Sequence, residues 1–239
     1  MLTIKNLSLN INSNFQLDNI NLDIPCGKIC ALIGPNGAGK TSLIKVITGI
    51  YSNFNGDCFL GNMKTTSKEF KKYLGYMPEN PIVLYNFTSK EFIEYIYSIK
   101  ISAFGKNEKY KDLFNMDELV NLFKLEQSLN KQMQHLSQGQ LKKVMLMTSL
   151  IGDPKIIVLD EPTNGLDTEG ILNLKKILNI LKNKSKIVLI SSHILDFIES
   201  IYDISIFIND GKIIELVNKN ENLEKVYIRN YIENHDKNS

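Results

Sequence analysis

Apolar residues alternate with polar ones in three short runs near the N-terminus, and this spacing is typical of half-buried β-strands. The runs read LTIKNLSLNI, FQLDNINLDI and KICALI, at 2–11, 15–24 and 28–33. Asparagine, serine, proline and glycine between them predict turns. Two further runs, within 55–62 and 71–80, predict additional strands, the second of which ends at Pro78.

The pattern changes at about residue 80. TSKE, at 88–91, is a capping-box signature, and it precedes the apolar periodic segment FIEYIYSI. MDELVNLFKL, at 116–125, continues a helical period. We therefore predict a mainly helical insert over 80–135.

After the insert, runs of strand length alternate with amphipathic runs of helix length. Helices are predicted at 137–152, 168–183 and 194–201, and strands at 156–160, 186–191 and 204–210. Such alternation is typical of a mostly parallel sheet with helices on both faces. The sequence thus predicts an α/β fold, followed by the strand-like GKIIEL, a short amphipathic stretch and a polar tail.

Composition narrows the class of protein. The 239-residue chain is 43% hydrophobic, enough to bury one large core or a core with a smaller lobe. Its longest apolar stretches, at 156–159 and 187–190, are far shorter than the roughly 18 residues that a membrane-spanning helix needs. The N-terminal segment alternates like a strand and lacks the features of a secretory signal. We therefore expect a soluble protein located in the cytoplasm.

Cysteine usage argues against disulfide bonds and a zinc site, and charge argues against a nucleic-acid-binding surface. The cysteines Cys26, Cys30 and Cys58 are odd in number and form no C-x-x-C pair, so neither a disulfide framework nor a zinc site is indicated. Net charge is +2, from 28 basic and 26 acidic residues, and Arg229 is the single arginine. Because arginine supplies most bidentate contacts to bases and phosphates, this composition predicts no nucleic-acid partner.

The segment GPNGAGKTS, at 34–42, fits the spacing G-x-x-x-x-G-K-[ST]. In this spacing, backbone NH groups surround a phosphate chain, Lys40 reaches its outer oxygens and Thr41 coordinates magnesium. A helix predicted over about 41–49 follows, with its positive end towards the anion. We predict that a nucleotide phosphate is bound by Gly34, Pro35, Asn36, Gly37, Ala38, Gly39, Lys40, Thr41 and Ser42.

A buried strand that ends in two carboxylates, IIVLDEP at 156–162, supplies an acidic side to this site. Ligands of open α/β sheets lie beyond the carboxyl ends of the strands, where Asp160 and Glu161 emerge. Asp160 is predicted to hold the magnesium ion through water. Glu161 is predicted to accept a proton from an attacking water, so hydrolysis is the expected reaction.

Three more segments add to the constellation. LSQGQ opens a helix with Ser137 as N-cap and Gln140 three residues later, and this helix end presents a hydroxyl and free NH groups to a second anion. TNGLD, at 163–167, follows the acidic pair. SSH ends at His193, just beyond a predicted strand and within reach of the γ-phosphate.

Together, GPNGAGKTS, LSQGQ, IIVLDEPTNGLD and SSH resemble, in this order, the motifs of the ATP-binding cassette family, the nucleotide-hydrolysing subunits of ABC transporters. The resemblance covers about residues 2 to 217. It implies ATP and Mg²⁺ as cofactors. It also implies a phosphate-loop NTPase core with an N-terminal antiparallel β-subdomain over 1–79 and 136–217, a helical subdomain over 80–135 and a short C-terminal tail over 218–239.

In that family, two cassettes meet head to tail, and each ATP lies between the phosphate loop of one cassette and the signature helix of the other. The resemblance therefore implies a second cassette, in a homodimer or a heterodimer. It assigns Ser137, Gly139 and Gln140 to the partner's ATP. It also places the turn that contains Asp167 across the dimer seam, with Asp167 linking the two sites.

Three positions depart from the family pattern. Gln138 replaces a signature glycine, but Gly139, whose backbone approaches phosphate in the family, is retained, so Gln138 is expected to be tolerated. Glu79 stands where the family commonly has a glutamine that contacts magnesium, and a carboxylate can also bind this ion. The family's base-stacking aromatic falls near Ile11, and Phe15 is the nearest ring, so these two residues are the candidates for the adenine contact.

The resemblance implies a subunit that drives a separate transmembrane permease from the inner face of the cell membrane. Glu79 and the short C-terminal end resemble exporter cassettes, with peptides, antibiotics or lipids as cargo. The alternative is a soluble cassette that acts on nucleic acid or on the ribosome. Only 97 positions separate Lys40 from Ser137, which leaves no room for the coiled coil of DNA-acting cassettes. A single phosphate loop argues against the two-cassette translation class, and LSQGQ with SSH argues against a plain kinase or GTPase.

The segment between Glu79 and the capping box is unusually apolar for a connection: Ile82, Val83, Leu84, Tyr85 and Phe87. One interpretation is that these side chains pack the insert onto the sheet. In the resembled family, however, this region receives a short cytoplasmic helix of the membrane subunit. The resemblance therefore predicts a docking role for Leu84 or Tyr85.

Overall fold

The computed structural model of the protein describes residues 1–12, 15–81, 84–104 and 114–233. Its strands, in chain order, are β1 (Leu2–Asn12), β2 (Phe15–Ile24), β3 (Lys28–Ile33), β4 (Asn55–Leu60), β5 (Met63–Lys64), β6 (Leu74–Met77), β7 (Ile156–Asp160), β8 (Ile187–Ser191), β9 (Ile204–Asn209) and β10 (Lys212–Asn218). Its α-helices are α1 (Lys40–Ile47), α2 (Lys68–Lys72), α3 (Ser89–Phe104), α4 (Met116–Phe123), α5 (Gln138–Ser149), α6 (Thr168–Asn183), α7 (Leu195–Glu199) and α8 (Leu223–Tyr227).

These strands form two sheets within the described residues. The first is antiparallel, with the order β2-β1-β4-β5, and comes from the alternating N-terminal runs. The second has the order β10-β9-β3-β8-β7-β6 and is parallel except for its edge strand β10. The predicted α/β class, with a mostly parallel sheet and an antiparallel N-terminal β-structure, is confirmed.

The parallel sheet is covered on both faces. Every residue of β7 and β8 is buried, as expected for continuous apolar strands. Within β7, Ile157 and Leu159 belong to the cluster that includes α5, α6 and the helical insert, whereas Ile156 and Val158 belong to the cluster shared with α1 and the antiparallel sheet. Each such buried side chain contributes roughly 1.5–3 kcal/mol, so the central strands are a rigid support for whatever emerges at their ends.

The capping box at the start of α3 forms as the sequence predicts. The Thr88 NH donates to Glu91 Oε2 at 2.8 Å, and the Glu91 NH donates to Thr88 Oγ1 at 3.2 Å. α3, α4 and two short 3₁₀ turns, Glu126–Ser128 and Met133–His135, make up the described part of the insert. None of the described helices is both long enough and apolar enough to cross a membrane.

One segment differs from the sequence prediction, and the C-terminal segment is better defined than the sequence indicated. The strand predicted over 71–80 is shorter, since Lys71 and Lys72 end helix α2, whose N-cap Ser67 accepts a hydrogen bond from the Phe70 NH. The short amphipathic stretch predicted after GKIIEL forms α8 and a π-helical stretch, Ile228–Glu233. The buried Tyr231 anchors it, because its hydroxyl lies 3.1 Å from the Ile33 carbonyl oxygen and 2.9 Å from that of Ile208.

All three cysteines are free thiols. Cys30 and Cys58 are buried, and Cys26 is exposed. Burial raises the pKa of Cys30 to about 12 and that of Cys58 to about 11. The two buried thiols therefore act as small apolar side chains of the core.

Candidate functional site

The carboxyl ends of the parallel strands open onto a cavity of about 880 Å³. Most of the residues predicted to bind or hydrolyse a nucleotide line this cavity, although they come from four separate parts of the chain. They are Gly34, Pro35, Asn36, Gly37, Gly39, Lys40, Thr41, Ser42, Glu79, Asp160, Glu161 and His193. Ala38 is buried instead, and its carbonyl accepts a hydrogen bond from the Gly211 NH at 2.9 Å.

Glycine is required at three points of the phosphate-loop segment. Gly37 and Gly39 have φ angles of +82° and +110°, in the region that glycine occupies at the least cost. A Cβ on Gly34 would lie 2.4 Å from the carbonyl oxygen of Ile208. The glycines therefore let the loop turn tightly above β3 while its backbone remains accessible to a ligand.

Lys40 is the first residue of α1 and lies at the positive end of this helix. Its ammonium donates to the carbonyl oxygens of Gly34 at 2.7 Å and Pro35 at 3.0 Å. Burial lowers the pKa of Lys40, while Glu161, Asp160 and Glu79 act in the opposite direction. The lysine thus lies between the loop and the carboxylates.

Asp160 ends β7 and is 1% exposed. Its Oδ1 accepts a hydrogen bond from the Ser191 hydroxyl at 2.6 Å, whereas its buried Oδ2 has no hydrogen-bond partner among the described residues. No group of three or more His, Cys, Asp or Glu side chains in the described ranges could hold a metal. Magnesium commonly uses only one or two carboxylates together with substrate phosphates. The residues present, Asp160 with Thr41 and Glu79 on the same cavity, therefore fit this ion.

Glu161 adopts a left-handed backbone conformation, with φ of +48°. Its NH donates to Ser191 Oγ at 2.9 Å, which fixes the turn at the end of β7. The Glu161 side chain is 9% exposed, and its Oε2 lies 3.0 Å from Nδ1 of His193, whose side chain is 60% exposed. The geometry therefore joins the two predicted catalytic residues directly at the cavity that both line.

The LSQGQ segment forms the predicted capping box. The Gln140 NH donates to Ser137 Oγ at 3.2 Å, and the Ser137 NH donates to Gln140 Oε1 at 3.1 Å. A Cβ on Gly139 would lie 2.6 Å from the carbonyl oxygen of Gly165, so glycine allows α5 to approach the TNGLD turn closely. Ser137, Gly139 and Gln140 are not among the residues that line the cavity.

Asp167 also lies outside the cavity lining. It is the N-cap of α6, and its Oδ1 accepts a hydrogen bond from the Gly170 NH at 2.8 Å. This bond, and then the bond from Lys143 at 3.1 Å, lower the pKa of Asp167. The side chains of Ile11 and Phe15, the candidates for the adenine contact, lie outside the described residues.

Two residues that the sequence did not single out contribute to the site. Tyr227, from α8, lines the cavity. Lys142, from α5, donates to the Glu79 carbonyl oxygen at 2.6 Å. Burial lowers the pKa of Lys142, while Glu79, Asp160 and Glu161 oppose this effect. Tyr227 lies outside all of the sequence motifs, and Lys142 lies just beyond LSQGQ on the same helix, so no motif marks either residue.

A smaller groove of about 380 Å³ lies near the junction of α3, α5 and β6. Its lining includes Leu74, Tyr76, Leu84, Phe92, Tyr95, Ile96, Lys100 and Met145. Leu84 and the neighbouring Tyr85 are 42% and 57% exposed, whereas Phe87 packs against the core and contacts Tyr95 edge to face. Phe87 thus supports the packing interpretation and Leu84 and Tyr85 do not, while Ile82 and Val83 lie outside the described residues.

Comparison with known proteins identifies relatives that agree in being named as transporter ATP-binding proteins. The family model described as ABC transporter matches residues 17–164. The lantibiotic transport ATP-binding protein SrtF of Streptococcus pyogenes is 34% identical over 230 residues, which are 95% of this chain and 96% of SrtF. The zinc import ATP-binding protein ZnuC of Buchnera aphidicola is 30% identical over 199 residues, which are 83% of this chain and 76% of ZnuC.

Solved structures show the same fold. The ATP-binding subunit of an ABC transporter superposes with a TM-score of 0.81 at 25% identity, covering 96% of this chain and 98% of that subunit. The dimeric structure of a bacterial ABC transporter cassette superposes with a TM-score of 0.78 at 21% identity, covering 93% of this chain and all of that cassette. This chain therefore belongs to the ABC transporter family as an ATP-binding subunit, and it is an ATPase.

Proposed function

We propose that this ATPase exports a peptide antibiotic of the lantibiotic class by powering a separate membrane permease. The observation that carries the cargo class is the similarity to SrtF, which extends over nearly the full length of both chains. Glu79, which resembles the residue of bacterial exporter cassettes, supports the direction. The relatives are named as transport subunits, and this does not favour the alternative of a cassette that acts on nucleic acid or on the ribosome.

The proposed chemistry is hydrolysis of ATP, in which water attacks the γ-phosphorus and the bond to the departing ADP breaks. The phosphate-loop residues and Lys40 would hold the phosphates, and Thr41, Asp160 and Glu79 would hold Mg²⁺. When bound, the ion would neutralise charge on the transferred group. Glu161 would accept the proton of the attacking water. Its hydrogen bond with His193, at 3.0 Å, supports this role because it fixes the carboxylate beside the cavity.

The signature residues would act on a second cassette. Ser137, Gly139, Gln140 and Asp167 do not line this chain's own cavity, which is expected if they contact ATP bound to a partner. A related cassette is a dimer. The proposed division is a core at 1–79 and 136–217, a helical subdomain at 80–135 and a C-terminal segment at 218–239, and this division would place the signature where the insert rejoins the core.

Leu84, which lines the groove, and the exposed neighbouring Tyr85 would contact the permease. That contact would hold the protein at the cytoplasmic face of the cell membrane. Unlike a singly exposed apolar side chain, Leu84 forms part of a groove with other apolar side chains, which is typical of a protein interaction site. Because Leu84 and Tyr85 lie close to Glu79 in the chain, they would transmit nucleotide-dependent movement of Glu79 to the membrane subunit.

Efflux measurements in the source cell test the cargo proposal. We expect Glu161→Gln, introduced into the native gene, to abolish efflux of a fluorescently labelled lantibiotic and to increase sensitivity to that peptide. The matched control is Glu169→Gln, which replaces an exposed residue of α6 that forms an ion pair with Lys124. This variant should retain efflux. Unchanged efflux together with defective growth under zinc limitation would overturn the proposal and favour zinc uptake, the process in ZnuC's name.

A further inference from the structure

Lys142 connects two elements that carry different parts of the proposed site. It lies on α5, the helix that begins with the LSQGQ signature. Its Nζ reaches across 63 positions of the chain and donates to the main-chain oxygen of Glu79, at 2.6 Å. Glu79 follows β6 and lines the nucleotide cavity. One side chain therefore ties the signature helix to the cavity wall.

The charges around Lys142 give it a second role. Glu79, Asp160 and Glu161 all act on its ammonium, and the same three carboxylates act on Lys40. Lys40 is already engaged by two carbonyl oxygens of the phosphate loop. Lys142 is thus a second cation near these carboxylates, and it comes from the side of α5.

Two other partly buried lysines of this chain also donate to main-chain carbonyl oxygens, Lys71 to that of Thr48 and Lys100 to that of Leu74. Burying an ammonium group is costly, and the Lys142 ammonium donates to a neutral carbonyl oxygen. The neighbouring Lys143 instead pairs with the carboxylate of Asp167. Lys142 differs from those two lysines because its acceptor belongs to a residue that lines the nucleotide cavity, and because Glu79, Asp160 and Glu161 oppose the lowering of its pKa by burial.

We propose that Lys142 is a positioning residue for hydrolysis. It offsets the charge of Glu79 and ties the loop after β6 to α5, so that the signature helix and this cavity wall move together during the ATPase cycle. The proposal rests on the proposed roles of Glu79 and Asp160 in binding magnesium.

Two substitutions separate the charge from the tether. Lys142→Met removes both, whereas Lys142→Gln keeps an NH donor for the Glu79 carbonyl and removes only the charge. We expect each to lower kcat by about tenfold with a smaller effect on the KM for ATP. The Mg²⁺ concentration for half-maximal activity should fall by about threefold or more, because uncompensated carboxylates hold a cation more tightly.

Rescue tests the charge balance. Glu79→Gln alone should raise the half-saturating Mg²⁺ concentration, and the double variant Glu79→Gln with Lys142→Gln should return it towards the wild-type value. Hydrogen exchange of residues 78–81 in the nucleotide-free protein reports the tether, and it should increase in Lys142→Met but not in Lys142→Gln. The control is Lys176→Met, which removes a lysine that hydrogen-bonds Asn173 on α6.

The proposal is overturned if Lys142→Gln leaves the magnesium dependence unchanged, or if Glu79→Gln gives no rescue. If Lys142→Met does not fold, Lys142→Gln still decides the charge role. Failure of the proposed magnesium role would instead appear as an unchanged half-saturating Mg²⁺ concentration in Glu79→Gln alone, while hydrogen exchange of residues 78–81 still increases in Lys142→Met. The two failures are therefore distinguishable.

Discussion

Glu161 shows how one backbone angle places a reactive side chain. The left-handed turn after β7 directs the carboxylate towards His193 and the cavity. Glu161→Gln keeps the size and hydrogen bonding of the side chain but removes the base. We expect ATP hydrolysis to fall by roughly 10²- to 10⁴-fold while ATP stays bound, as measured by phosphate release and equilibrium binding. Near-normal turnover would contradict the assignment, and Glu169→Gln is the control.

Lys100 allows a prediction of pH-dependent stability. Its Nζ donates to the Leu74 carbonyl oxygen at 2.5 Å, and burial lowers its pKa to about 8. Between pH 8 and the unfolded pKa of about 10.4, the unfolded chain binds more protons than the folded one. The free energy of unfolding should therefore rise with pH in this window, by about 1–3 kcal/mol relative to Lys100→Met.

Denaturant unfolding at pH 7, 8, 9 and 10 measures this difference. The exposed Lys90, which pairs with Glu94, supplies the control Lys90→Met, whose stability should run parallel to that of the wild type. If the Lys100→Met and wild-type curves are parallel, the ammonium of Lys100 is not desolvated in solution.

At the scale of elements, the start of α5 combines a structural cap with a proposed phosphate contact. Ser137→Asp keeps an acceptor for the Gln140 NH, and aspartate is as good an N-cap as serine. Thermal stability should therefore be nearly unchanged. A carboxylate facing the partner's γ-phosphate would repel it, so we expect hydrolysis to fall more than about tenfold, while ATP binding to the monomer is retained.

Asn115→Asp is the matched control, since it adds the same charge at the N-cap of α4. It should change neither hydrolysis nor ATP binding. Loss of ATP binding by the Ser137→Asp monomer would contradict the shared site, because it would place Ser137 in this chain's own cavity.

Local sequence pattern predicted those elements whose stability is local. α6 was predicted at 168–183 and is found at Thr168–Asn183, because its amphipathic period is long and its cap, Asp167, is adjacent. The positions of Asp160, at the end of β7, and of His193, just after β8, also followed from the pattern. The carboxyl ends of parallel strands meet at one edge of the sheet. The amphipathic stretch that forms α8 gave no indication that Tyr227 lines the cavity, and the contact of Lys142 with Glu79 depends on how α5 docks beside β6. Tertiary packing alone brings these parts together.

At the scale of the whole molecule, the groove beside α3 is the proposed contact with the permease. Leu84→Glu or Tyr85→Glu should abolish co-purification of the permease, because a carboxylate would be buried in an apolar interface. The melting temperature and ATP binding should be unchanged, since both side chains are exposed. Leu172→Glu, at a side chain on α6 that is 53% exposed, is the control. Joint loss of the fold and of the partner would indicate that these residues pack the core.

The anchoring of Tyr231 has a consequence for biosynthesis. Its hydroxyl bonds to the carbonyl oxygen of Ile33, the last residue of β3, which is 198 positions earlier in the chain. At about 5–20 residues per second, the ribosome needs on the order of 10–40 s to add the intervening chain. During that time, the hydrogen bond between Tyr231 and the end of β3, the strand that leads into the phosphate loop, cannot form. A chain released before Tyr231 is added would lack the hydroxyl that donates to the buried carbonyl oxygens of Ile33 and Ile208. Products that end late in the coding sequence should therefore be incompletely folded and should stay bound to chaperones.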